Sequence, residues 1–192
     1  TSGGAWTHLQ AQPRGNPQQT EKPFVTRQYG NFAQAEGGFG PEMSLARGLR
    51  SKGGARRAVV KVAFSGTGLR ADWNPANGAC FRALVAEAQA AIAAAWAQGF
   101  AMRVRALAWV QGESDANEKD APDYAKNLAS MLAAVRRELH APEMIALLGV
   151  NERYGRGKNP FIAGIVAAQA HVAANDARNV RVSTAAPELV ND

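Results

Sequence analysis

The 192-residue chain is poor in several residue types, and each shortage excludes a class of protein. Its single cysteine, Cys80, excludes an intrachain disulfide and a zinc or iron–sulfur site built on several cysteines. Cys80 falls in an apolar helical pattern with Phe81 and Leu84, so we interpret it as a small buried hydrophobic residue. No run of about 18 apolar residues occurs, and the sequence therefore predicts no membrane-spanning segment.

Charged and aromatic residues are present in ordinary amounts, at 20% and 7%, and 46% of the chain is hydrophobic. This composition excludes collagen-like, coiled-coil and low-complexity proteins and is typical of a globular domain. The net charge is +6, and the densest basic run lies at residues 47–57, around two glycines. No aromatic residues interleave with these arginines as a stacking platform requires, so we expect a solvated helix end and no nucleic-acid partner.

The beginning of the chain carries few structural signals. The sequence starts with Thr1 and has no signal-peptide pattern, so we expect a processed, cut or partly observed form. Secretion or periplasmic export stays open. Residues 1–39 predict an irregular lead, because Gly, Pro and Gln are frequent there and apolar residues stand singly.

From Pro41 onwards, helical and strand patterns alternate. Apolar residues recur at helical spacing in four segments, at residues 41–52, 80–100, 122–139 and 160–175. Apolar, β-rich runs predict four strands, at residues 58–64, 104–110, 143–150 and 180–183. Apolar strands separated by helices predict a mostly parallel sheet, buried on both faces and joined by right-handed crossovers. We therefore expect an α/β fold with three αβα layers, forming a single domain over residues 1–192.

Ligands of such a sheet bind beyond the carboxyl ends of its strands, so the residues after each strand are the candidates for a site. After the first predicted strand, Gly66, Gly68 and Ala71 match a loose dinucleotide fingerprint. The residues at 72–75 intervene before the next helix, and the acidic residue expected about 20 positions further on is missing. We expect no nucleotide cofactor. The sequence also has no phosphate-binding P-loop and no Gly-x-Ser-x-Gly nucleophile motif.

The residues after the second predicted strand include side chains that suit acyl transfer. Strand alternation predicts that Gln111 and Glu113 project to the same side, with Gly112 between them allowing a close approach. A side-chain amide can donate to a developing oxyanion, and a carboxylate can orient an imidazole, which suits acyl transfer. The alternative is structural: Gln111 bonds a backbone carbonyl and Glu113 begins a loop salt bridge. The residues alone leave both interpretations open.

Residues 109–116, which read Trp-Val-Gln-Gly-Glu-Ser-Asp-Ala, resemble a known motif. It is the W-x-Q-G-E-x-D-A block of the sialate O-acetylesterase/carbohydrate esterase family 6 group, within the SGNH-hydrolase superfamily. Three further blocks are similar to that family in the same order, at residues 38–42, 61–73 and 159–172. The resemblance covers roughly residues 30–192.

The resemblance implies a serine esterase that removes O-acetyl groups from carbohydrates, of the sialic acid or xylan type, in a flavodoxin-like αβα fold. It implies no cofactor and no metal. By the family's pattern, Gln111 and Gly66 help form the oxyanion hole. The triad carboxylate falls on Glu113, or on Asp192 if the chain would have continued as Asp-Gly-Leu-His.

Two of the family's motifs do not occur in these 192 residues. The nucleophile motif Gly-Gln-Ser-Asn and the histidine of the late Asp-x-x-His motif are both missing. Ser65 lies beside the expected nucleophile position, but His8, His140 and His171 are interpreted as structural. We therefore expect that this 192-residue chain does not hydrolyse the ester substrate. The alternatives are a catalytically inactive sugar-binding module of the same fold and a nucleotide-binding domain.

Overall fold

The computed structural model describes residues 41–51, 56–64 and 66–184. Within them the helices are α1 (Pro41–Ser51), α2 (Ala79–Ala97), α3 (Tyr124–Glu138) and α4 (Ile162–Ala174). The strands are β1 (Ala106–Val110), β2 (Ile145–Gly149) and β3 (Asn179–Arg181), with short 3₁₀ segments at Glu113–Asp115, Ala121–Asp123 and Tyr154–Gly157. The four predicted helices are confirmed. The predicted irregular lead at residues 1–39 lies outside the described residues.

The strands form one parallel sheet in the order β1-β2-β3. Ala106 pairs with Ile145, and Ala146 pairs with Asn179. All three strands therefore begin at one edge, which we call the amino edge, and end at the other, which we call the carboxyl edge. The predicted α/β fold with a parallel sheet is confirmed.

The prediction of a strand over residues 58–64 is wrong. Residues 56–64 form neither helix nor strand in the structure. The apolar, β-branched composition of this segment favours a strand but is not sufficient for one. A strand also requires a neighbouring strand that completes its hydrogen bonds. None of the described strands pairs with it.

The two faces of the sheet differ in burial. Trp109, Ala146 and Leu148 are buried on one face. Helix α4 packs against β2 and β3, and α3 packs against α4. On the alternate positions, Val110 is 58% exposed and Ile145 is 45% exposed. The expectation that the strands are buried on both faces is therefore wrong at these positions. A continuous apolar run does not reveal whether a second layer covers it.

The chain divides into two compact units, and each is described by itself. One unit comprises Thr1–Ser65 and Ala86–Met102; within it, Lys61 bonds Glu42 at 2.8 Å and the Arg56 guanidinium lies 5.1 Å from the centre of the Phe100 ring. The other unit comprises Gly66–Val85 and Arg103–Asp192 and holds the sheet. A single domain over residues 1–192 stays a prediction.

Helix α2 is long and apolar enough, by length and composition, to cross a membrane. Ten of its 19 residues are alanine, and it also carries Arg82 and Glu87. A single helix of this kind is weak support for a membrane span, because the core helix of a soluble protein passes the same test. The absence of a membrane partner stays a prediction.

Polar groups at the amino edge are joined by Arg136, at the end of α3. Its guanidinium donates to the Met144 carbonyl at 3.0 and 3.1 Å and to the Asn179 side chain at 2.8 Å. It also pairs with Asp176 at 3.2 Å. These bonds tie the last turn of α3 to the beginnings of β2 and β3, so the network stabilises the fold at this edge.

Candidate active site

The candidate site is built on residues 111–116, which follow β1 at the carboxyl edge and which we call the site segment. The Gln111 N–H still donates to the Gly149 carbonyl at 3.0 Å, which prolongs the pairing with β2 by one residue. At Gly112 the backbone leaves the strand with φ 148°. A Cβ there would lie 2.5 Å from the Ile165 methyl group, so both the turn and the packing require glycine.

The turn at Gly112 interrupts strand alternation before Glu113 is reached. β1 ends at Val110, and Glu113 begins a 3₁₀ segment. Gln111 bonds the Thr67 carbonyl, whereas Glu113 bonds the Asn151 N–H. That Gln111 and Glu113 project to the same side stays a prediction.

Gln111 bonds the loop at residues 66–69, which we call the glycine loop. Its Nε2 donates to the Thr67 carbonyl at 2.9 Å and to Asp115 Oδ2 at 2.5 Å. The side chain is half-buried, and its Oε1 accepts a bond from the Tyr124 hydroxyl at 3.3 Å. The structure thus brings Gln111 to the segment that contains Gly66, with its amide hydrogens bonded within the protein.

Asp115 is the buried carboxylate that holds this arrangement together, and the motif alone assigned no separate role to it. It is 1% exposed and accepts the Leu69 N–H on its two oxygens, at 3.0 and 3.2 Å. A Cβ on Gly68 would lie 3.3 Å from Oδ1, so glycine permits the close approach. Burial raises the pKa of Asp115, and the bonds from Gln111 and Leu69 oppose that rise.

Two further buried polar side chains support the site segment from behind. The Tyr124 hydroxyl donates to the Gln111 carbonyl at 2.8 Å, and burial raises the pKa of this tyrosine. Gln169, fully buried on α4, donates to the Gln111 carbonyl at 3.0 Å and to the Gly149 carbonyl at 3.1 Å. The sequence does carry a signal for Gln169, because it is a polar residue on an otherwise apolar helix face. A polar side chain that is buried on such a face requires a hydrogen-bond partner.

Glu113 and Gly66 are the other predicted site residues that the structure describes. The half-buried Glu113 carboxylate accepts the Asn151 N–H at 2.9 Å, which joins the site segment to the residues after β2. Gly66 is exposed with φ 66°, and within the described residues, its chain neighbours aside, no atom lies within 4 Å of the position that a Cβ would occupy.

The two histidines among the described residues, His140 and His171, are not brought to this site. Asp192 and Ser65 lie outside the described residues. His140 follows α3 and precedes β2, and His171 lies in the last turn of α4 before β3, so both are placed towards the amino edge. A groove of about 1050 Å³ between α3 and α4 is lined by these histidines and by Arg136, and it too lies away from the site segment.

The glycine loop does not fit a phosphate-binding role. Such a loop presents free backbone N–H groups to the phosphates. Here the Gly68 N–H donates to Asp72 at 2.9 Å and the Leu69 N–H donates to Asp115, so a phosphate would displace carboxylates. The Trp73 indole also bonds the Thr67 hydroxyl at 2.9 Å and packs edge-on against Trp109. In the described part of the chain, no group of three His, Cys, Asp or Glu side chains could hold a metal ion.

Comparison with known proteins places these residues in a family. Residues 8–190 match the profile of the family described as "Carbohydrate esterase, sialic acid-specific acetylesterase". The chain belongs to this family. The resemblance found in the sequence is therefore confirmed, and a hydrolase acting on carbohydrate esters is the family's activity. No curated protein sequence matches the chain.

A solved structure shares the fold of this chain. It is a protein from Arabidopsis thaliana, determined by X-ray diffraction, with a TM-score of 0.64 and 22% sequence identity. The match covers 76% of this chain and 56% of the plant protein. At this identity the likeness shows the fold alone, and the chain corresponds to little more than half of the length of that protein.

Proposed function

We propose that the protein removes O-acetyl groups from carbohydrates, with the acetyl carbonyl bound at the carboxyl edge between Gln111 and Gly66. The observation that supports this most directly is the Gln111 amide, which is held by hydrogen bonds against the glycine loop. Family membership supports the reaction class.

In this proposal the oxyanion of the tetrahedral intermediate accepts hydrogen bonds from the Gln111 amide and the Gly66 N–H. Donors that are fixed before the reaction do not have to reorganise when the charge develops. Gln111 is fixed in this way, because Asp115, Thr67 and Tyr124 hold both ends of its amide. One hydrogen of the Gln111 amide would then be shared between the oxyanion and the group that already accepts it, which is either the Thr67 carbonyl or the Asp115 carboxylate.

Glu113 and Asp192 are the two candidates for the carboxylate that orients a catalytic histidine. The Glu113 carboxylate retains lone pairs beyond the one that accepts the Asn151 N–H, so it can accept a second bond. Replacing each residue by its amide separates the two roles. The kcat falls strongly for the triad residue and little for the other.

The experiment uses protein expressed from the complete reading frame, so that any residues beyond these 192 are included. Acetate release from an O-acetylated sugar is measured for the parent protein and for Gln111→Ala. We expect kcat/KM to fall about 100- to 1,000-fold, as for loss of one oxyanion donor.

The matched control is Gln98→Ala, which removes an exposed glutamine just after α2. It should leave kcat/KM unchanged. Unaltered acetate release by a folded Gln111→Ala variant would overturn the assignment of the donor, and a parent protein that releases no acetate would overturn the esterase proposal.

A sugar-binding module without catalysis is the second candidate, and one observation favours it. Both hydrogens of the Gln111 amide are already bonded, to Thr67 and Asp115, which suits a structural role for this side chain. Saturable binding of the O-acetylated sugar by the parent protein, with no acetate released, would identify this function.

A further inference from the structure

Asp115 bonds both of the segments that carry the proposed oxyanion donors. Its Oδ2 accepts the Gln111 side-chain amide at 2.5 Å, and its two oxygens accept the Leu69 N–H at 3.0 and 3.2 Å. Gln111 belongs to the site segment, and Leu69 lies three residues after Gly66 on the glycine loop. A single carboxylate therefore joins the two sides of the proposed oxyanion hole.

The backbone on either side of Asp115 is itself held by hydrogen bonds. The Asp115 N–H donates to the Gly112 carbonyl at 3.1 Å, and the Asp115 carbonyl accepts the Asn117 N–H at 2.8 Å. The side chain is buried, so close packing leaves it few other positions. Asp115 can therefore fix the position of the groups that bond to it.

An ionised carboxylate can only accept hydrogen bonds, and this limits how the Gln111 amide can face it. The two ends of a glutamine amide have similar shapes, but only the nitrogen end can donate to an oxyanion. Asp115 and the Thr67 carbonyl both favour the nitrogen end, while Oε1 accepts the Tyr124 hydroxyl at 3.3 Å. The carboxylate thus favours the amide orientation that oxyanion stabilisation requires.

A negative charge is unfavourable at this buried position for solvation reasons alone. Burial raises the pKa of Asp115, and the acidic Asp72 and Asp120 also act to raise it. Asparagine has a similar size and avoids this penalty, but its amide offers one acceptor and one donor where Gln111 and Leu69 present two donors. The acceptor-only chemistry of a carboxylate therefore explains why aspartate fits here.

We propose that Asp115 is a positioning residue for the deacetylation, which acts through Gln111 by holding the nitrogen end of its amide at the glycine loop. The inference rests on the proposed function, in which Gln111 donates to the oxyanion. Asp115 is buried behind the amide and does not itself contact the substrate. A donor that is turned or displaced loses much of its effect on the transition state.

The first measurement is acetate release from an O-acetylated sugar by protein from the complete reading frame. The variant is Asp115→Asn, and the matched control is Asp123→Asn, which changes an exposed aspartate that pairs with Arg70. We expect Asp115→Asn to lower kcat about 10- to 100-fold and to leave KM within about twofold, because the oxyanion exists only in the transition state and the intermediate. Asp123→Asn should change neither constant. An increase in kcat for Asp115→Asn would show that its charge outweighs its effect on orientation, and would overturn the inference.

The same substitution in a Gln111→Ala background separates positioning from general structural damage. Without the Gln111 amide, Asp115 has no oxyanion donor to orient. Asp115→Asn should then lower kcat by less than about twofold. A loss as large as that in the parent protein would mean that Asp115 does not act through Gln111.

The Gln111 amide can also be observed by NMR, which requires no catalysis. Its side-chain hydrogen signals are identified by their absence from the spectrum of Gln111→Ala. In Asp115→Asn these signals should move, and their exchange with solvent should become at least about tenfold faster, because the amide loses an acceptor. In Asp123→Asn they should stay as in the parent protein. Signals that are unchanged in Asp115→Asn would contradict the inference.

If Asp115→Asn does not fold, the parent protein provides the test by itself. As pH is lowered, the Gln111 amide signals should shift with the same midpoint as the Asp115 carboxyl carbon, because protonation turns an acceptor oxygen into a donor. Asp72 and Asp120 also act on Asp115, so their carboxyl carbons are followed in the same spectra. Gln111 signals that follow another carboxyl group, or none, would refute the positioning role.

These measurements distinguish the inference from the proposed function. A parent protein that releases no acetate, but whose Gln111 signals depend on Asp115, keeps the link between the two residues and loses the esterase proposal. Acetate release that depends on Gln111 and not on Asp115 keeps the esterase proposal and rejects the inference.

Discussion

The two edges of the sheet use polar residues in opposite ways. At the amino edge, Asp176 receives bonds from both Arg136 and Arg178, and the arginines complete their bonding on backbone carbonyls. At the carboxyl edge, the buried Asp115 carboxylate is surrounded by neutral donors, and the charged groups that act on it, Asp72 and Asp120, are acidic. At the amino edge Asp176 is held by arginines, whereas Asp115 at the carboxyl edge is held by neutral donors.

The difference separates a structural network from a functional one. The paired charges of the amino edge also bond backbone carbonyls and so join elements of the fold, and this structural role explains their presence. A buried carboxylate that is held by neutral donors, and whose pKa burial raises, lacks such an explanation, and groups with shifted pKa values cluster at binding and catalytic sites. The contrast therefore directs attention to the carboxyl edge, although the large groove lies between α3 and α4.

The largest effect on stability is expected at the amino edge, from Arg136→Ala. The substitution leaves the Met144 carbonyl and the Asn179 side chain without their donor and Asp176 with a weakened pairing. Breaking a buried pair in this way costs about 3–5 kcal/mol, measured as the free energy of unfolding in urea.

Arg137→Ala is the control for that prediction, because Arg137 is the next residue on α3 and its side chain is 68% exposed. Loss of an exposed residue away from a network changes stability by about 0.5 kcal/mol or less. If the two variants unfold alike, the amino-edge network does not stabilise the fold.

The second effect concerns the turn that opens the carboxyl edge. In Gly112→Ala, the new Cβ would meet the Ile165 methyl group at 2.5 Å in a backbone conformation that disfavours side chains. We expect a loss of about 2–3 kcal/mol in the free energy of unfolding.

Gly164→Ala is the matched control for Gly112→Ala, and it should change the free energy of unfolding in the opposite direction. Gly164 lies within α4, and no atom of the residues that the structure describes comes within 4 Å of its Cβ position, so alanine should stabilise the helix by up to about 1 kcal/mol. Equal effects of the two substitutions would show that close packing at Gly112 does not shape the site.

The amino-edge elements and the site segment were predictable from the sequence to different degrees. The helices follow from apolar spacing, which is a local property, and α3 begins and ends within two residues of its predicted bounds. The strand predicted at residues 58–64 was wrong, because strand formation depends on a partner that the segment itself does not specify.

At the site, the motif identified Gln111 and Glu113 but not the residue that organises them. The burial of Asp115 depends on the approach of Leu69, which is 46 residues away in sequence. Such a contact leaves no periodic signal. Gln169 did leave one, as a polar residue on an apolar helix face, and the structure shows that it joins the ends of β1 and β2.

The smallest effects, and the sharpest contrast between the edges, are in the pH dependence of stability. Burial raises the pKa of Asp115 above 3.8, so the folded protein binds more protons than the unfolded one and stability falls as pH rises through the interval above 3.8. Hydrogen bonds from Arg178 lower the pKa of Asp176 below 3.8, so its contribution is present above 3.8 and is lost as pH falls below that value.

The free energy of unfolding, measured against pH for Asp115→Asn and Asp176→Asn, tests both signs. The parent-minus-variant difference should decrease with rising pH for Asp115→Asn and increase with rising pH for Asp176→Asn. The two curves must slope in opposite directions because one carboxylate is buried among neutral donors and the other is held by arginines. Parallel slopes would mean that Asp115 and Asp176 respond to pH alike, and the distinction between a carboxylate held by neutral donors and one held by arginines would fail.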